Sequence, residues 1–319
     1  LVQFIKLNQS ITRHNQMFKT KTLVIGTRQS QLALWQTNHI KQQLETHWPG
    51  LSCQLETFVT KGDQTLDKPL PQIGGKGLFT AELEAALHNG RIDLAVHSLK
   101  DLPVEETPGL VIGAISRRAD VRDVLVAQND HTLAALPAGA VVGTGSPRRK
   151  AQLLACRPDL VVRPVRGNVD TRIGKVMSGD YDAVVLAAAG IIRLGLEAAI
   201  TDWLSLDTML PAPGQGALAV QCRAGDEDTL KLLVALHDEA TMACVTAERA
   251  FLSALGGGCS LPVGAYAEMS EGVIQLSGLV AAEDGRQVIR LSDRAKDPDQ
   301  LGRSLAEQAL AQGAEAMLP

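Results

Sequence analysis

The sequence predicts an α/β protein, with two α/β domains of similar build and a small α+β domain at the C-terminal end. Three observations carry this. A strand, a tight turn and a Ser-capped helix follow one another twice, at Leu23 to Ser30 and at Val141 to Ser146. A helix-stopping Gly followed three residues later by an Asp that opens an apolar strand also occurs twice, at Gly90/Asp93 and Gly179/Asp182. From about residue 239 the texture changes to one helix, three alternating strands and a last helix.

The elements follow in order. Residues 1–20 are basic and polar, carry no acidic residue and show no clear periodicity. They read as a transit peptide or, in the favoured reading, as an extension upstream of Met17, and are expected to be disordered. Leu23-Val-Ile-Gly-Thr-Arg-Gln-Ser30 reads as a strand, a Gly-Thr turn and a cap for the helix Gln31 to Leu44. A helix over 78–88 stops at Asn89-Gly90, and Asp93 opens the strand Leu94 to His97. Val141-Val-Gly-Thr-Gly-Ser146 repeats the first pattern, with Pro147 at the first helical position, where a missing N–H costs nothing, and a helix to about Cys156. A helix over 170–177 stops at Ser178-Gly179, and Asp182 opens Ala183 to Ala187. Both Asp-opened strands are continuously apolar, as buried parallel strands are. Leu210-Pro-Ala-Pro-Gly-Gln-Gly216 reads as a crossing between domains, after which Ala217 to Cys222 returns to the first. A helix from Thr241 to Leu255, the loop Gly256 to Ser260, strands near 262–268, 273–281 and 287–294, and a helix over 298–313 complete the chain. The expected division is 21–118 with 217–236, then 119–212, then 239–319.

A chain of 319 residues exceeds one ordinary core, in keeping with that division. Aromatic residues make up only 3%, so base stacking on aromatic platforms is not provided for, and a net charge of -4 argues against a general binder of nucleic acid or anionic membrane. The longest apolar run, Ala183 to Ile192, is far short of the roughly 20 residues that span a bilayer. Five cysteines with no CxxC pair and no zinc-like spacing point to reduced thiols, hence to a cytoplasmic setting and no metal.

Arginines gather at strand-to-helix junctions: Arg28, Arg148, Arg149, Arg166 and Arg172, with Arg163 and Arg193 nearby. Arg148 and Arg149 occupy a first helical turn, where the helix dipole disfavours cations by roughly 0.3–1 kcal/mol. Two of them there make sense if an anion sits among them; a solvated turn is the plainer alternative. Gly74-Gly-Lys-Gly77 is a second anion-loop candidate, though not a P-loop. His97-Ser-Leu-Lys-Asp101 follows a buried strand, at the strand end where open α/β sheets bind ligands. Asp101 there is either a cleft carboxylate that steadies a cation and moves protons, or half of a surface pair with Lys100. His97 reads as structural. Cys259 follows three glycines that would expose its thiol, whereas Cys222 ends an apolar strand and reads as buried.

From about Leu23 onward these segments together resemble the porphobilinogen deaminase (hydroxymethylbilane synthase) family. The motifs are GTRQSQLALWQ (26–36), GGKGLF (74–79), AVHSLKDLP (95–103), RRKAQL (148–153), RGNVDTR (166–172), LPAPGQGAL (210–218), TAER (246–249) and GGGCSLPVGAYA (256–267). Their number and order make the resemblance specific. It implies two domains like periplasmic binding proteins with the active cleft between them, plus a small third domain. It implies a dipyrromethane cofactor, assembled from the enzyme's own substrate and held by Cys259 through a thioether. Four porphobilinogen molecules are then joined, each losing ammonia, and water releases hydroxymethylbilane, the substrate of uroporphyrinogen-III synthase.

By the same resemblance Arg28, Ser30, Lys76, Lys100, Thr144, Ser146, Arg148, Arg149, Arg166 and Arg172 bind carboxylates of cofactor and substrate. Asp101 serves the pyrrole N–H and the cation left when ammonia departs, and Ser98, Phe79, Arg193 and Gln215 are further cleft candidates. A monomer is expected. One segment departs from the family, which commonly has two serines and Leu where Gly145-Ser146-Pro147 stands, so one hydroxyl donor is missing. Two rivals remain at this point. A non-catalytic anion-binding protein leaves Cys259 without a task. A thiol hydrolase using Cys259 and His97 leaves the arginines unexplained.

Overall fold

The computed structural model describes residues 22–64, 77–258 and 261–318. The expected extension at 1–20, together with Lys76 and Cys259, lies outside them.

The strands are β1 Thr22–Arg28, β2 Ser52–Phe58, β3 Leu94–Ser98, β4 Leu110–Ile115, β5 Asp123–Ala127, β6 Val141–Gly143, β7 Val161–Arg163, β8 Ala183–Ala187, β9 Asp202–Trp203, β10 Leu218–Arg223, β11 Val263–Ser270, β12 Val273–Ala281 and β13 Val288–Ala295. The helices used below are α1 Gln31–His47, α2 Lys61–Gln64, α3 Ala81–His88, α4 Pro147–Cys156, α5 Val169–Met177, α6 Ala188–Arg193, α7 Glu227–Leu233, α8 Glu239–Ala254 and α9 Pro298–Ala311.

Two five-stranded sheets share one topology. The first runs β2-β1-β3-β10-β4 and the second β7-β6-β8-β5-β9. In each, three strands are parallel, and the fourth is antiparallel to both its neighbours. That fourth strand is the first one after the chain has crossed from the other sheet. The chain therefore crosses between the two α/β sheets twice, with β10 in the first sheet as expected.

The repeated Gly-x-x-Asp has a physical task. Asp93 Oδ2 accepts from Val24 N at 2.9 Å, and Asp182 Oδ2 accepts from Val141 N at 2.6 Å. Each carboxylate thus satisfies an N–H near the start of the neighbouring parallel strand. Ser30 and Ser146 cap α1 and α4 as their spacing predicts, accepting from Ala33 N and Arg149 N.

Two local readings are corrected. Gly26-Thr27 is not a turn, because β1 runs on to Arg28. A Cβ at Gly26 would meet Ile92 Cδ1 at 2.4 Å, and one at Gly143 would meet Tyr181 Cδ1 at 2.9 Å. Both glycines sit inside strands to admit a neighbouring side chain. The helix expected from 78 begins at Ala81, because Gly77, at φ +80, opens a turn that ends at Thr80.

The third sheet, β11-β12-β13, is antiparallel and packs on α8 and α9 around Phe251, Leu276 and Leu305. Gly302 lets α9 touch α8, since a Cβ there would lie 2.4 Å from Ala247 O and 2.7 Å from Phe251 N. Backbone atoms cannot swing aside. Gly302→Ala is therefore expected to lower the thermal midpoint: overpacking of about 1–3 kcal/mol exceeds the gain of about 1 kcal/mol in helix propensity.

Candidate functional site

Asp101 ends a single 3-10 turn, Leu99–Asp101, at the carboxyl end of β3. Its side chain is exposed, but its backbone is held from both sides. Leu99 is fully buried, and its N–H donates to Ala217 O at 3.0 Å. Beyond the turn, Arg249 on α8 donates to Leu102 O at 3.2 Å and Pro103 O at 2.6 Å. Gly257 closes on the same stretch, where a Cβ would stand 3.0 Å from Val104 Cγ2. Gly256, Gly257 and Gly258 all have positive φ (100, 66 and 108), as the exposed glycine turn before Cys259 requires. Ser98, one residue from the turn, accepts through Oγ from Gln36 Nε2 at 2.9 Å.

On the second domain, Arg148 and Arg149 start α4 and are buried. The anion that their sequence position calls for is Asp123, the buried first residue of β5. Its carboxylate meets Arg148 Nη2 at 2.8 Å and Arg149 Nη2 at 2.8 Å. Arg148 Nη1 also donates to Leu210 O and Arg149 Nη1 to Val185 O. Burial alone would raise the Asp123 carboxyl; the two guanidiniums overcome it and hold the group well below the usual carboxylate range. Nε of Arg148 and Nε of Arg149 remain buried with no hydrogen-bond partner among the described residues. Thr144 accepts through Oγ1 from Ser146 N at 3.2 Å, and Pro147 takes the first helical position.

Several expected residues share this electrostatic neighbourhood. Burial and Arg149 push the Lys100 ammonium down to about 8, against Asp101 and Asp123. Burial, Arg149 and Arg166 push Arg172 down to about 10, with Asp101 opposing. Among the described residues, Lys100, Arg148, Arg149 and Arg172 thus share the fields of two carboxylates, Asp101 and Asp123, with Arg166 beside Arg172, a basic cluster suited to an anionic ligand. Arg166 also reaches the first domain, donating from Nη2 to Gly62 O at 3.4 Å.

Other candidates are engaged elsewhere. Arg28 pairs with Asp63 and lies 4.3 Å over the Phe79 ring. Arg193 donates to Gly216 O at 2.8 Å and faces the Trp35 ring, so it latches the crossing loop to α1. Arg163 stacks on Tyr181 and donates to Asp180 O. His97 is buried and pushed down to about 4 by that burial, which keeps it neutral. Buried Cys222 is pushed up to about 11, the inert thiol its strand position predicts.

The sequence reading missed Asp123, Asp63, Arg118 and Glu248. Glu248 is the largest omission. This fully buried carboxylate on α8 accepts from both terminal nitrogens of Arg118, from Gly214 N and from Ala267 N. It ties one crossing segment, the other crossing segment and the third sheet to a single side chain. The TAER motif was the available signal; what it lacked was the partners.

The family comparison decides among the readings. Residues 23–231 match the model of the porphobilinogen deaminase, dipyromethane cofactor binding domain, and residues 242–311 match the porphobilinogen deaminase, C-terminal domain. The chain belongs to the porphobilinogen deaminase family. It is 52% identical over 299 residues to the porphobilinogen deaminase of Roseiflexus sp. (strain RS-1), covering 93% of this chain and 99% of that one. The porphobilinogen deaminase of Roseiflexus castenholzii is 52% identical over 298 residues, with coverage of 93% and 98%. That of Geobacillus kaustophilus is 48% identical over 299 residues, with coverage of 93% and 97%. As a porphobilinogen deaminase the chain is a transferase of tetrapyrrole biosynthesis that polymerises porphobilinogen into hydroxymethylbilane on a dipyrromethane cofactor. The residues present fit that cofactor: its pyrroles bear acetate and propionate groups, and the cleft offers buried guanidiniums with unused Nε donors. Among the described residues no helix is long and apolar enough to cross a membrane.

Proposed function

We propose that polymerisation takes place in the cleft bounded by the Asp101 turn and the first turn of α4, on a primer held by Cys259. The observation that carries this is that Lys100, Arg148, Arg149 and Arg172 share the fields of Asp101 and Asp123 among the described residues, with Arg166 beside Arg172. Each added pyrrole brings two carboxylates, so a growing product needs such a cluster. When bound, the cofactor supplies the nucleophilic pyrrole terminus from which the chain is extended. Cys259 holds it by a thioether, two residues after the glycine that packs against Val104. Arg148, Arg149, Arg166, Arg172 and Lys100 take carboxylates, assisted by Thr144, Ser146 and Ser30 as hydroxyl donors. Arg28, on its Asp63 and Phe79 support, serves the first-domain side, and Lys76 is assigned the same carboxylate-binding role.

Of Asp101 and Asp123, Asp101 is the exposed carboxylate. It accepts the pyrrole N–H, steadies the cation formed when ammonia leaves, and moves the proton. Arg193 is read as an inter-domain latch. We divide the chain at 21–118 with 217–236, 119–212 and 239–319. We extend the family pattern to a cytoplasmic monomer whose product passes to uroporphyrinogen-III synthase.

The test is intact mass. Wild-type protein incubated with porphobilinogen should carry an excess equal to two linked pyrroles, and Cys259→Ser should gain none. An equal excess on the variant would move the attachment point to another residue. No excess on either would sink the covalent-primer reading.

A further inference from the structure

Gln215 lies wholly buried in the loop that returns the chain to the first sheet. Its Oε1 accepts from Lys100 Nζ at 3.2 Å, and its Nε2 donates to Val121 O at 2.8 Å and to Asp123 Oδ1 at 2.8 Å. The partners fix the amide's direction. An ammonium can only donate, while a peptide carbonyl and an ionised carboxylate can only accept, so a flipped amide would lose every bond.

The backbone beneath is equally fixed. Gln215 O accepts from Arg118 Nε at 2.8 Å, and Gly214 N donates to Glu248. Gly216, at φ +92, packs where a Cβ would stand 2.7 Å from Ala119 O. One neutral side chain therefore joins the Lys100–Asp101 turn of the first domain to the Asp123–Arg148–Arg149 cluster of the second.

We propose that Gln215 is a positioning residue of the polymerisation reaction: its carbonyl oxygen keeps Lys100 as a cation beside Asp101 while its amide N–H groups keep Asp123 on Arg148 and Arg149. This rests on the reading of Lys100 as a carboxylate-binding cation of the cleft. Among the described residues, the charged groups facing Lys100 are Asp101 on its own turn, Asp123 on β5, and Arg149 and Arg148 on α4. Burial and the arginines disfavour the ammonium, leaving it near 8. The Gln215 oxygen works against them. Its removal lowers the group further, and a carboxylate in its place raises it.

The sign is clear: Lys100 is charged below that value and loses its charge as pH rises through it. The alkaline limb of kcat/KM for porphobilinogen should report this, measured on holoenzyme whose cofactor load is verified by intact mass. Lys100→Arg, with a cation that does not titrate in this range, should abolish the limb. Gln215→Met should move it down by about one pH unit, the order of a hydrogen bond to a charged group. Gln215→Glu should move it up. An unchanged limb in Lys100→Arg would overturn the underlying reading of Lys100. A limb abolished by Lys100→Arg, yet left unmoved or moved the same way by both Gln215 variants, would overturn the proposal alone. If one Gln215 variant fails to load cofactor, the sign in the other still decides.

Discussion

Asp101→Asn should yield a folded, cofactor-bearing protein whose kcat falls by about 10²–10⁴-fold, the range for loss of a positioned acid–base group. The fold is spared because, among the described residues, no hydrogen bond or ion pair rests on this carboxylate. Asp101 is exposed, and the turn that carries it is pinned through its neighbours: Leu99 N on Ala217 O, Leu102 O and Pro103 O on Arg249. An exposed substitution of this kind shifts stability by roughly 0.5 kcal/mol or less.

Binding should move the other way. The charge of Asp101 favours the protonated forms of Lys100 and Arg172. With that charge gone, the surroundings offer a carboxylate-bearing ligand a more positive field. KM for porphobilinogen should therefore hold steady or fall while kcat collapses. That split is what steady-state kinetics would read. A parallel rise in KM with intact kcat would make Asp101 a binding group, and full activity would remove it from the mechanism.

What the sequence made legible was the local grammar. Ser30 and Ser146 act on N–H groups three residues away, so their caps follow from spacing alone. Asp93 and Asp182 were visible as strand openers because the Gly-x-x-Asp repeat is contiguous, even though their acceptor role, across 69 and 41 residues, was not. Gly26 was misread because a glycine that breaks a strand and one that makes room inside it look identical until Ile92 is seen above it. The arginine cluster was foreseen by the cost of cations at a helix start. Its counter-charge was not, because Asp123 opens an apolar strand and reads like Asp93 or Asp182 beside it. Burial is the property that distinguishes these three, and burial belongs to the packed chain.

The crossing segments also explain why the site is built as it is. Lys100 and Asp101 belong to one sheet, Asp123 and the two arginines to the other, and the loop 210–217 runs between them. Two α/β domains joined by two chain crossings would be free to hinge. Here the third domain is keyed into the joint: Ala265 N donates to Pro211 O at 2.9 Å, and Glu248 holds Gly214. The same helix α8 supplies Arg249 to the loop after Asp101 and leads directly into the glycines before Cys259. The helix that precedes those glycines thus also braces the Asp101 turn and the crossing loop.

Glu248→Gln should therefore cost about 3–5 kcal/mol, the range for breaking a buried ion pair by removing one partner. The substitution is isosteric, so no cavity enters. What fails is hydrogen-bond polarity. Oε1 of Glu248 accepts from Arg118 Nη1 and Ala267 N, and Oε2 accepts from Arg118 Nη2 and Gly214 N. A glutamine must turn its NH2 towards one of these pairs of donors, leaving two donors without an acceptor and a third donor group pressed against them. Arg118 meanwhile keeps a largely buried charge with no carboxylate opposite. Denaturant titration should show a lower midpoint. Arg118→Met combined with Glu248→Gln should recover only part of the loss, because either amide end still confronts Gly214 N or Ala267 N. A Glu248→Gln midpoint equal to wild type would mean that water or a shifted backbone takes over these bonds, and the joint would then be looser than its geometry implies.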